Sequence, residues 1–132
     1  MKLTLKQKQL LVAVAESMEV NFSFTQEFDT CAAEDDFFNI VNEDDIRKAF
    51  QGKAVSGIMS ALHKKGIFID DCAWETKWVK VRGCLTLKDI KIPLWRFHDK
   101  MTFADVYGIR KGESVHDALD RMKAEINMEV AA

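Results

Sequence analysis

His63, Cys72, Cys84 and His98 are the residues whose types fit a tetrahedral zinc site. They lie 9, 12 and 14 residues apart. Zinc sites ordinarily open with a close C-x₂₋₄-C pair, and none is present here. The pattern reads as reduced thiols and ordinary histidines, so no metal and no cofactor is expected. Catalysis has equally little to work with. The chain has no G-x-x-x-x-G-K-[ST] phosphate loop, no G-x-S-x-G elbow and no H-E-x-x-H pair. Three scattered histidines give no support to a Ser/His/Asp or Cys/His set. No catalytic residue is assigned, and the chain is not expected to be an enzyme. The Gly108–Ser114 loop reads as a turn leading into a helix cap. Trp74, Trp78 and Trp95 have faces that can stack on unpaired bases, but packing in sheet and core is the favoured role.

Charge is more informative. The net charge is −2, yet residues 1–50 balance at −5, residues 51–100 at +5 and residues 101–132 at −2. A basic block in an acidic chain suggests a surface that meets a polyanion. Within that block, Lys53, Ser56, Gly57, Ser60 and Lys64 fall on one face of a helical segment. Small side chains let a helix backbone approach a partner closely, and Ser and Lys can donate to base edges or phosphates. Lys77, Lys80 and Arg82 add a second basic group in an extended segment.

The elements that must position these residues follow from periodicity. Thr4 and Gln7 have the form of a capping box, and Leu11, Val14, Ala15 and Met18 predict a helix over about 5–18. Val20, Phe22 and Phe24 alternate like a short strand, and Cys31 to Val41 has the spacing of a short helix. Asn42 is a good N-cap for a helix to about Phe50, with Val41 and Ile46 placed as a hydrophobic staple. Val55, Ile58, Met59 and Leu62 mark the apolar face of a helix from Lys53 to Lys65, which Gly66 ends. The period then changes from helical to alternating. Ile67–Ile69 and Trp78–Arg82 read as strands, followed by extended structure at 85–87 and 90–92 and around Trp95 and Phe97. Ser114 caps a last helix over about 115–128. The expected core is Leu11, Val14, Phe37, Ile46, Val55, Ile58, Met59, Leu62, Ile67, Ile69 and Val79.

With 132 residues and 48% hydrophobic composition, the chain can bury a core of its own. Its longest uncharged apolar run, Leu10–Ala15, falls far short of the roughly 20 residues of a membrane span. A cytoplasmic protein with no membrane partner is therefore expected. The fold class is α+β, with a first domain over 1–100 and a helical extension over 101–132. That extension either packs on the domain or forms a dimer contact through its 115–128 helix.

Residues 53–68, Lys53-Ala54-Val55-Ser56-Gly57-Ile58-Met59-Ser60-Ala61-Leu62-His63-Lys64-Lys65-Gly66-Ile67-Phe68, carry a resemblance. They are similar to the recognition helix and first wing strand of winged helix-turn-helix regulators, nearest the multiple-antibiotic-resistance regulator type. The shared signature is V-S-x-x-x-x-x-L-x-x-K-G followed by a hydrophobic residue. The resemblance implies a dimeric, cytosolic regulator of transcription that binds duplex DNA. It places Lys53, Ser56, Gly57, Ser60 and Lys64 against the DNA. The basic hairpin around Lys77, Lys80 and Arg82, read from its own residues, is then expected to meet phosphates as a wing. A rival reading comes from the acidic residues Glu34, Asp35, Asp36, Asp70 and Asp71. Grouped on one face they would imitate phosphates, as in small phage-type inhibitors that bind a protein partner.

Overall fold

Thr4 and Gln7 exchange hydrogen bonds. The Thr4 amide donates to Gln7 Oε1 at 3.1 Å, and the Gln7 amide donates to Thr4 Oγ1 at 3.2 Å. This capping box starts helix α1, Leu5–Met18, over the expected span. The computed structural model describes residues 2–18, 40–50 and 54–131. The expected strand around Val20–Phe24, Phe37, Lys53 and the cluster Glu34–Asp36 lie outside the described residues.

Residues Ile40–Asn42 form strand β1, so the helix expected to run to Val41 does not include its last two residues. Val41 packs in the core, and pairing with a later strand outweighs its helical spacing. Helix α2, Glu43–Ala49, starts where Asn42 Oδ1 accepts from the Asp44 amide at 3.0 Å. Helix α3, Val55–Lys64, ends in a Schellman motif. Gly66 takes φ +81°. Its amide donates to His63 O, and the Ile67 amide donates to Leu62 O.

Beyond Gly66 the chain is extended. Strand β2 covers Phe68–Asp70, β3 Ala73–Val81, β4 Cys84–Ile92 and β5 Leu94–Phe97. The described strands form two antiparallel sheets. In one, β5 lies between β1 and β2; the other is the β3–β4 ribbon. The ribbon turns on Arg82 and Gly83, both at positive φ, which is the two-residue turn that suits strand twist. At about 3.3 Å per residue, its nine-residue strands span about 30 Å. Neither strand makes an extensive contact with any other described element.

A helix absent from the sequence expectation, α4, covers Lys100–Tyr107. Its signal is local: Asp99 Oδ1 accepts from the Thr102 amide at 2.7 Å, and that bond holds the Asp99 carboxyl below its ordinary range. Phe103, Val106 and Tyr107 then face inward. Helix α5, Val115–Ala131, packs along α1 with Val115, Leu119, Met122 and Ile126 buried. Ion pairs Lys8–Glu129 at 2.7 Å and Lys123–Glu16 at 2.8 Å join the two helices. The apolar stripe of α5 thus meets its own chain. No described helix is long and apolar enough to cross a membrane.

Leu11, Val14, Ile46, Val55, Met59, Leu62 and Ile67 are buried as expected. Of the other expected core residues, Ile58 is half-buried against this core, whereas Ile69 and Val79 are half-buried outside it, Val79 because it lies on the β3–β4 ribbon. The centre of the core is aromatic. Phe97 lies 4.7 Å from Phe68 and 4.9 Å from Phe103, between ring centroids. The Tyr107 hydroxyl donates to Leu11 O at 2.6 Å, and burial pushes its pKa well above 10.0.

The loop before α5 contains a pH-sensitive clasp. Arg121 donates to Glu113 at 2.6 Å and 3.0 Å and also to Gly108 O, while the Arg110 amide donates to Glu113 at 2.8 Å. The Arg121 guanidinium, and then the Arg110 amide, bring the Glu113 carboxyl from an ordinary 4.5 down to about 2. A depressed carboxyl pKa stabilises the fold above the unfolded value, and that contribution fades as pH falls through the folded one. Stability is therefore expected to decline between pH 4.5 and about 2. Arg121→Ala should flatten that decline in urea unfolding curves. Parallel pH profiles for the two proteins would refute the clasp.

Candidate nucleic-acid interface

The two central helices are joined by a buried carboxylate. Glu43, the first residue of α2, is 6% exposed. Its Oε2 accepts from Arg47 at 2.9 Å and from Ser56 Oγ at 3.2 Å; its Oε1 accepts from Trp95 Nε1 at 3.2 Å. One side chain thus ties α2, α3 and β5 together. His63 adds a second tie, with Nδ1 2.7 Å from Phe68 O and its ring 5.6 Å from that of Trp95. The orientation of α3 relative to α2 and the sheet follows from these contacts.

The outer face of α3 carries Ser56, Gly57, Ser60 and Lys64, all exposed. Ser56 is not free to donate elsewhere in this arrangement: its hydroxyl donates to Glu43 Oε2, and Arg47 donates to Ser56 Oγ at 3.3 Å. Around Gly57, a methyl group would meet nothing within 4 Å. Packing inside the molecule therefore gives no reason for glycine there. Ala54, before α3, takes φ 61°, and its side chain provides no cap for the first-turn amides.

The ribbon carries the remaining candidates. Lys77 pairs with Glu75 at 3.3 Å. Lys80 is exposed near the tip, and Arg82 occupies the turn at φ 51°. A left-handed backbone costs a non-glycine residue about 1–2 kcal/mol. Lys88 and Lys91 join this group, opposite Lys77 and Trp74. Counting back from Gly83 with a two-residue turn would have placed both. Trp74 and Trp78 overturn the expectation of core packing, because each is 66% exposed. Strand β3 starts at Ala73, ahead of the expected Trp78, and its register puts both tryptophans on one face, on which nothing packs extensively among the described elements. Trp95 alone of the three is half-buried.

The acidic pair lies at the end of β2. Asp70 Oδ1 accepts from the Cys72 amide at 3.1 Å, and Asp71 lies 3.9 Å from Arg96 Nε. The carboxylate bonded to Ser56 is that of Glu43. Cys72 and Cys84 are free thiols. The chain matches no protein-family model, no curated protein and no solved structure.

Proposed function

We propose that this chain is a winged helix-turn-helix protein that binds duplex DNA and acts as a cytoplasmic regulator of transcription. The observation that carries the reading is the order of parts around α3. A strand, two helices, a second strand, a long ribbon and a third strand follow one another, with the third strand pairing between the first two. In such an arrangement α3 is the element that enters the major groove, and the ribbon is the wing. The small outer face of α3, with open space at Gly57, admits close approach to base edges. Lys64 is the last residue of α3, and Lys53 precedes the helix by two positions in the sequence. Arg82 keeps a charge at the wing tip where Asn or Gly would suit the turn better.

Salt dependence tests the reading directly. Each phosphate contact contributes about 0.9 to the slope of log affinity against log salt. Lys53→Ala combined with Lys64→Ala should weaken duplex binding and reduce that slope by about 2 units. A full-length double variant with unchanged affinity and slope would remove α3 from any DNA interface.

A further inference from the structure

The β3–β4 ribbon has a face whose chemistry differs from that of α3. Its register places Trp74 beside Lys91, Trp78 beside Leu87 and Lys80 beside Leu85. Both indoles are 66% exposed, as is Leu85. Asp89, the acid on this face, accepts from Thr76 Oγ1 at 2.8 Å. Exposed apolar area on this scale marks a surface that meets a partner. The two tryptophans stand four residues apart on one strand, about 13 Å at 3.3 Å per residue. That separation makes two independent stacking platforms.

We propose that this ribbon face binds single-stranded nucleic acid. Each indole stacks on an unpaired base, while Lys80 and Lys91 engage neighbouring phosphates. Charge selects this occupant. Residues 73–92 hold five basic and two acidic side chains. A second copy of the ribbon would bring like charge against like, whereas a polyanion is attracted. Bases add the aromatic planes that an exposed indole can cover without sequence preference. The proposal stands whether or not α3 reads duplex DNA.

The test uses the full chain and three probes at low salt: labelled oligothymidine, a duplex of equal length, and phosphatidylserine vesicles. Wild type should bind oligothymidine. Trp74→Ala with Trp78→Ala should weaken that binding by about ten-fold per indole, and Trp→Phe at both positions should restore most of it. The indoles are exposed, so the urea midpoint should stay unchanged. Lys53→Ala with Lys64→Ala should leave oligothymidine binding intact, even if duplex binding is lost. Equal oligothymidine affinity for wild type and the double alanine variant would overturn the proposal. So would a tryptophan dependence seen only with vesicles, or only in self-association by sedimentation.

Discussion

Phe97→Ala is expected to remove about 3–5 kcal/mol of stability, the range for deleting a large buried aromatic side chain. Phe97 is fully buried on the central strand β5, with Phe68, Phe103 and Tyr107 around it. Truncation would leave a cavity facing three rings, and rings relax poorly into such a space. A domain of this size has about 5–15 kcal/mol in total, so the variant would lie near its unfolding threshold at ordinary temperature. Urea unfolding measures the loss. Trp78→Ala is the control, because its side chain is already largely in water. A loss below about 1 kcal/mol at Phe97 would contradict the aromatic core.

Glu43→Ala should cost about 2–3 kcal/mol, although only a polar side chain is removed. The carboxylate accepts from Arg47, Ser56 and Trp95. Without it, the half-buried Trp95 N–H loses its acceptor, and α2 and α3 lose their shared anchor. Arg47 is exposed enough to return to water, so it adds little. Glu43→Gln should fall between, since one oxygen survives but the new amide donor faces groups that also donate. If Glu43→Ala leaves the urea midpoint unchanged, the carboxylate does not hold the helices together.

Local signals in the sequence located most of the elements. The capping pair Thr4 and Gln7, the Asn42 cap and the Gly66 stop are each decided by one or two neighbouring residues. Helices α1 and α2 begin and end close to where periodicity puts them, and α3 ends at its glycine, but α3 starts at Val55 rather than Lys53 because Ala54 is left-handed. What was less legible depended on distant partners. Ile40 and Val41 have helical spacing with earlier residues, yet they pair with Arg96 and Trp95. Glu43 reads as a first-turn acid suited to the helix dipole, and nothing nearby announces that Trp95 will meet it. The exposure of Trp74 and Trp78 is illegible for the same reason. Period-2 alternation defines a face without saying what covers it. Helix α4 carries local marks of its own: Asp99 with Thr102 is a cap, and Phe103, Val106 and Tyr107 form its stripe.

The position of β5 between β1 and β2 has a consequence for synthesis. A ribosome that has released residues 40–92 has made both outer strands and the whole ribbon. It has not yet made the strand that joins them. Until Leu94–Phe97 emerges, neither Ile40–Asn42 nor Phe68–Asp70 has a ladder partner. The ribbon closes across two residues and can form early; the three-stranded sheet must wait for one four-residue stretch to enter its middle. During that interval two bare strand edges face the surroundings, where another nascent chain could pair with them.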